Sequence, residues 1–175
     1  MCAKFILTNF DMERVLGIDP GFGRTGWGVI EKKKGEWEVV DWGCIETSVK
    51  DKFIDRLFEL HKKLTGVIKK YQPNRIAVED LFFAKNVKTA MKVGEARGVI
   101  LLTCVQAGAP VDEFTPLQIK QAMTGYGRAE KGQVQRMVRM ILKIKKKITP
   151  DDAADALAVA LTGAVHKSVY KKLTV

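Results

Sequence analysis

Val15-Leu16-Gly17-Ile18-Asp19-Pro20-Gly21-Phe22-Gly23-Arg24-Thr25-Gly26-Trp27-Gly28-Val29-Ile30 is the stretch that decides the fold. Val15 to Ile18 is a short apolar run, as a strand covered on both faces requires. It delivers a carboxylate, Asp19, to its last position, and Pro20-Gly21 turns the chain. Thr25 to Ile30 reads as a second strand returning beside the first. Gly21 to Gly26 also spells G-x-G-x-x-G, but a dinucleotide loop needs those glycines to open a helix. Trp27-Gly28-Val29-Ile30 continues with a strand-like pattern instead, so the segment is a hairpin. Asp19 could be a plain turn former ahead of Pro-Gly. Otherwise, an acid ending a buried strand costs desolvation energy and needs a partner or a task.

Working outward, Glu36 to Thr47 alternates as a third strand, with Trp37, Val39 and Ile45 as its apolar marks. A helix begins at Asp51 and repeats Ile54, Leu57, Leu60, Leu64, Ile68 and Tyr71 at helical spacing until Pro73 ends it. His61 reads as a side chain on that helix. Asn74 to Glu79 is a fourth strand, again an apolar run ending in an acid. A helical crossover would lay it parallel to the first strand and set Glu79 beside Asp19. The plainer alternative is an exposed glutamate at a strand end.

Asn86 can cap a long helix through about Gln106, with Met91, Ile100, Leu101 and Cys104 among its apolar positions. Its apolar content exceeds the needs of one face, so part of it is expected at a subunit interface. Pro110 to Thr115 is a fifth strand. Helices follow from Pro116 to about Met123 and from Glu130 to Leu142, separated by the loop Gly125-Tyr126-Gly127. Thr149-Pro150-Asp151-Asp152 reads as the start of the last helix, with Thr149 as N-cap and Pro150 first. That helix, to about His166, carries Asp152 and Asp155 three residues apart and so on one face. Its alanines suit close packing on a sheet. Asp152 could instead complete a capping box.

The chain has 175 residues, 46% of them hydrophobic, which suits one globular domain. Its formal net charge of +10 suggests a polyanionic partner. Cys2, Cys44 and Cys104 are odd in number and far apart, so neither a disulfide framework nor a zinc knuckle is indicated. Cys44 and Cys104 are expected to be buried thiols in a reducing, cytoplasmic setting. The N-terminus lacks the pattern of a signal peptide, and the longest apolar run, Val99 to Val105, is far short of a membrane span. The expected layout is an extension at 1–12, one domain at 13–166 and a basic tail at 167–175.

The element order is therefore β-β-β-α-β-α-β-α-α-α. If the fourth strand lies beside the first, Asp19, Glu79, Asp152 and Asp155 converge. Like charges at about 4 Å repel by roughly 4 kcal/mol per pair at an effective dielectric near 20. Such a cluster requires raised pKa values or bound cations. An all-oxygen donor set favours Mg²⁺ or Mn²⁺, and two such ions can position a water and stabilise the leaving oxygen of a phosphodiester. Between Phe114 and Pro150 stand nine basic residues, Lys120, Arg128, Lys131, Arg136 and Arg139 among them, against the single acid Glu130. Bases to hold phosphates beside acids to hold metal suit a metal-dependent nuclease. Phe82 and Phe83, in the segment Phe82-Phe83-Ala84-Lys85-Asn86 after Glu79, could stack on an unpaired base or pack in the core.

Gly-Ile-Asp-Pro-Gly at 17–21, Ala-Val-Glu-Asp-Leu-Phe-Phe-Ala-Lys-Asn at 77–86, Gly-Glu-Ala-Arg-Gly-Val at 94–99 and Asp-Ala-Ala-Asp-Ala-Leu-Ala at 152–158 closely resemble RuvC, the bacterial Holliday-junction resolvase family. The segments around Lys120-Gln121 and Ala129-Glu130-Lys131 are also similar, and the likeness spans about Val15 to His166. The resemblance implies a ribonuclease H-like fold, a five-stranded mixed sheet flanked by helices, and a homodimer. It implies Mg²⁺-dependent nicking of two strands of like polarity at a four-way junction. By position, Asp19, Glu79, Asp152 and Asp155 correspond to the metal ligands. Phe82 corresponds to the aromatic that reaches into the junction, and Lys120 and Lys131 to bases important for cleavage. Lys85 and Arg128 join them as expected DNA contacts, and the RuvA–RuvB branch-migration complex is the expected partner. The first dozen residues precede the family's usual start, with Met12 a candidate initiator, and Asp151 adds an acid beside Asp152. Rival readings are an actin- or sugar-kinase-like ATPase, for which the chain is short, a non-catalytic junction binder, and a related nuclease with another substrate.

Overall fold

In the computed structural model, which describes residues 13–80 and 87–166, the first apolar run becomes β1 (Arg14–Asp19), with Val15, Leu16 and Ile18 fully buried. The hairpin returns as β2 (Arg24–Lys33), antiparallel to β1, and β3 (Glu36–Glu46) pairs beyond it. β2 runs three residues past Ile30 because its first charged residue is matched. Arg14 Nε donates to Glu31 Oε2 at 2.8 Å, and Lys33 Nζ stands 3.2 Å from Glu31 Oε1. After α1 (Phe53–Tyr71), β4 (Arg75–Glu79) lies parallel to β1 in the register Val15↔Arg75 to Ile18↔Val78. Then follow α2 (Val87–Gln106), β5 (Val111–Phe114, parallel to β4), α3 (Pro116–Thr124), α4 (Lys131–Ile141) and α5 (Asp151–Val165). The sheet order is β3-β2-β1-β4-β5, the expected five-stranded mixed sheet.

The sheet divides the core in two by the two-residue period of its strands. Leu16, Ile18, Val29, Ile76 and Val78 face Leu60, Leu64, Ile68, Ile100 and Cys104 of α1 and α2. Val15, Ile30 and Ala77 face α3, α4 and the alanine-rich α5. Being covered on both sides, β1 reads as a continuous apolar run rather than an alternating one.

α5 lies close on the sheet because β1 and β2 have no side chain where it crosses. A Cβ on Gly17 would stand 2.1 Å from the Ala156 carbonyl oxygen, and one on Gly26 would stand 2.0 Å from that of Asp152. These contacts fix the N-terminal turns of α5 over the β1–β2 hairpin.

α5 starts one residue later than its sequence suggests. Pro150 is extended (φ −71°, ψ 169°), so it flanks the helix as its N-cap without a side-chain cap, and Thr149 lies outside. Capping boxes sit instead on α3, where Thr115 Oγ1 accepts from Gln118 N and Gln118 Oε1 accepts from Thr115 N, and on α4, where Gln133 Oε1 accepts from Glu130 N. Cys44 is only partly buried, contrary to expectation, whereas Cys104 is buried and its thiol is pushed up to about 12. Met91 is 77% exposed and so not part of the core. The expected cap at Asn86 lies outside the described residues.

Candidate active site

Parallel neighbours end at the same edge of a sheet, so β1 and β4 bring Asp19 and Glu79 together, both partly buried and sharing a hydrogen bond. Burial raises the Asp19 pKa to about 8, reinforced by the charges of Glu79, Asp155 and Asp152 and by the hydrogen bond to Glu79. Burial also raises Glu79, with the Asp155 charge adding to it. The hydrogen bond to Asp19 and the charges of Lys131 and Lys120 pull the other way. The shared bond lifts Asp19 and lowers Glu79.

The other two acids come from the first turns of α5, held over the hairpin by the Gly26 contact. Asp155 Oδ2 accepts from Lys131 Nζ at 2.6 Å. Burial disfavours the Lys131 charge, but the hydrogen bond and charge of Asp155 outweigh it and raise the Lys131 pKa. Asp152 Oδ2 pairs with Arg24 Nη2 at 3.0 Å, and the same guanidinium reaches Glu46 at 3.4 Å. Asp152 is thus engaged across to β2 and makes no helix cap. Asp151 is exposed, its charge felt at Lys131.

Four carboxylates from β1, β4 and α5 therefore share one electrostatic neighbourhood, and three raise the pKa of the fourth. Among the described residues, no three His, Cys, Asp or Glu side chains form a ready-made ligand cage. Two of the acids lean instead on Arg24 and Lys131. The donors are all carboxylate oxygens crowded against their own repulsion, a chemistry that fits a hard divalent cation such as Mg²⁺ or Mn²⁺.

Lys120 is half-buried on α3 and acts on Glu79 through its charge; Arg128 is exposed on the α3–α4 turn and makes no ion pair among the described residues. Phe82 and Lys85, with Phe83, lie outside the described residues. Arg24 and Arg97 join the surroundings of the acids without any local sequence pattern to mark them. Arg97 Nη2 lies 2.9 Å from Asp80 Oδ1 and also pairs with Glu113, tying the residue after Glu79 to β5. A cavity of about 590 Å³ between α1 and α2 is lined by none of the acids. There His61 Nδ1 lies 2.8 Å from Thr103 Oγ1, so His61 is a helix-face side chain, as its spacing suggested.

Residues 15–163 match the family model described as Crossover junction endodeoxyribonuclease RuvC. The chain is 56% identical over 157 residues to the crossover junction endodeoxyribonuclease RuvC of Petrotoga mobilis, covering 90% of this chain and 96% of that protein. It is 55% identical over 156 residues to the protein of the same description from Caldicellulosiruptor saccharolyticus, covering 89% and 94%. The solved structure of Thermus thermophilus RuvC matches with a TM-score of 0.78 at 38% identity, covering 86% and 93%. A structure of T. thermophilus RuvC in complex with Holliday junction substrate matches at 0.77 and 36%, covering 86% and 92%. The yeast mitochondrial Holliday junction resolvase shares the fold, at a TM-score of 0.61 and 13% identity over 85% and 77% of the two chains.

Proposed function

This chain belongs to the RuvC family of crossover junction endodeoxyribonucleases, a Holliday junction resolvase by descent, and from that premise we infer how it cuts. Asp19, Glu79, Asp152 and Asp155 hold Mg²⁺, two ions per site, with Mn²⁺ able to substitute. The observation that carries this is the Asp19 carboxyl, driven up to about 8 by burial and by three other acids. A cluster so poorly matched within the protein gains most from divalent cations. When bound, such ions position a water for in-line attack and stabilise the leaving oxygen of the phosphodiester.

The chain's own residues do the rest. With cations bound, Asp19 would release its proton to solvent, leaving it and Glu79 as oxygen donors. Lys131 is freed from Asp155 and offsets phosphate charge, as does Lys120 beside Glu79. Arg128 and Lys85 add backbone contacts, and Phe82 stacks on a base exposed at the crossover.

Two strands of like polarity are nicked symmetrically, which two sites in a homodimer supply. An apolar surface supports this: Ile54 and Phe58 on α1 are each 68% exposed, and Met91, Leu102 and Val105 on α2 are exposed as well. Such a surface suits a subunit interface better than water. The RuvA–RuvB complex presents the junction, in the cytoplasm; no described helix is long and apolar enough to cross a membrane.

Asp19→Asn tests the reading. It is expected to bind four-way junctions like the wild type and to lose Mg²⁺-dependent nicking. Unchanged nicking would refute the site. Comparable wild-type cutting of linear duplex or RNA hybrids would refute the proposed substrate selectivity.

A further inference from the structure

We propose that the cleft between α4 and the segment entering α5 is a second backbone-phosphate site, seating a phosphate of the junction strand beside the one that is cut. The proposal rests on the resolvase reading above. The cleft, about 250 Å³, is lined by Gly132, Gln135, Arg136 and Arg139 of α4, by Lys147 and by Ala154 of α5. The four α4 residues are spaced i, i+3, i+4 and i+7, which is one helix face. The opposite face, with Val134 and Val138, is buried.

Three observations indicate an anionic ligand. First, Arg136, Arg139 and Lys147 make no ion pair among the described residues, whereas Lys131 pairs with Asp155 and Lys143 with Glu36. Second, Arg136 and Arg139 stand three apart on a helix with no acid in its first turn, an arrangement that costs local stability unless an anion neutralises it. Third, the Gln135 side-chain nitrogen is buried without a hydrogen-bond partner, a donor lacking an acceptor. A guanidinium pair with an amide donor is the chemistry that holds a phosphate.

Position makes that phosphate one of the DNA backbone. Gly132 and Ala154 are the chain neighbours of Lys131 and Asp155, the ion pair at the edge of the acidic cluster. Adjacent Cα atoms lie about 3.8 Å apart, so the cleft wall begins one residue from the proposed cutting site. A strand with one phosphate at the acids carries its next phosphates past this wall.

The test compares Arg136→Gln/Arg139→Gln/Lys147→Gln with Lys62→Gln/Lys63→Gln/Lys69→Gln on α1, which removes the same charge from the opposite side of the sheet. Binding of a synthetic four-way junction is followed by fluorescence anisotropy in EDTA over a salt series. At ~0.1 M salt the cleft variant is expected to bind about tenfold more weakly, with a log–log salt slope shallower by roughly 1, and the α1 variant to lose less than about threefold. A neutral methylphosphonate within a few phosphates of the cut should weaken wild-type binding but not further weaken the cleft variant. Arg139→Gln alone, expected to go the same way by a smaller factor, covers the case of a triple variant that fails to fold. Equal losses in the two triple variants would overturn the cleft assignment, as would a cleft variant that binds like the wild type, the result expected if an acidic protein were the ligand. A wild type that neither binds nor nicks four-way junctions would overturn the resolvase reading itself.

Discussion

Asp19 stands at the end of a buried strand with three other acids around it and a hydrogen bond shared with Glu79. Unfolded, its carboxyl ionises near 3.8; folded, it holds its proton up to about 8. Between those values the native chain binds more protons than the unfolded one, so stability falls as pH rises. Below the unfolded value both states are protonated and nothing is lost. Above the folded value the loss is complete. Glu79, also raised, contributes with the same sign. The metal-free protein is therefore expected to show a thermal midpoint that declines from about pH 4 to about pH 8. Asn at position 19 removes the largest part of that decline and should melt at least ~4 °C above the wild type near pH 8. Scanning fluorimetry in EDTA across the pH range reads both quantities, and an unchanged decline in Asp19→Asn would show that another group drives it. Near pH 7, Mg²⁺ should raise the wild-type midpoint and release protons, with a gain of about 2.7 kcal/mol at a hundredfold excess over its dissociation constant. Asp19→Asn should gain little.

At the scale of elements, α5 joins the core to the site through two glycines that make different demands. A Cβ on Gly17 meets the α5 backbone at Ala156 and Ala160, in mid-helix. A Cβ on Gly26 meets it at Asp152. Gly17→Ala should thus undock the helix and lower stability by about 3 kcal/mol or more, an overpacking cost against backbone that cannot give way. Gly26→Ala presses only on the first turn of the helix, where Asp152 sits, so it should reduce nicking far more than it reduces the melting temperature. Similar ratios of activity loss to stability loss in the two variants would contradict this. The placement of α5 was partly legible beforehand, since Ala153, Ala154, Ala156 and Ala158 announce close packing, and the acid-ended runs at Asp19 and Glu79 announce a shared sheet edge. Those signals are local and strong. Thr-Pro ahead of two acids suggests Thr149 as the cap, but the extended backbone of Pro150 that sets the true start is a tertiary outcome. Arg24 and Arg97 are not legible for a similar reason: their partners Asp152, Asp80 and Glu113 are distant in sequence, and only the folded sheet brings them near. Periodicity put Met91 on an apolar face of α2 but could not say what covers that face.

For the whole molecule, that uncovered face bears on the chemistry. Ile54 and Phe58 lie one helical turn apart on α1, and Met91, Leu102 and Val105 follow one stripe of α2. A stable interface buries roughly 800 Å² per partner, which two adjacent helices can supply where a single one scarcely does. If two copies meet here, a carboxylate at position 102 must be desolvated on association, a cost of several kcal/mol that weakens the dimer by at least about a hundredfold. Sedimentation equilibrium at micromolar concentration should then find a wild-type dimer and a Leu102→Glu monomer that still unfolds cooperatively, at a lower midpoint because the stabilisation by association is lost. A monomer still carries every one of the four acids, so it should nick, but once per encounter. On a supercoiled plasmid extruding a cruciform, a dimeric wild type should cut both strands within the life of one complex and give linear product. The monomer should release nicked circles and reach linear product only by a second, slower encounter. Leu102→Glu remaining dimeric would place the interface elsewhere on the surface. A monomeric variant that still linearises in one encounter would show that paired cutting does not depend on paired subunits.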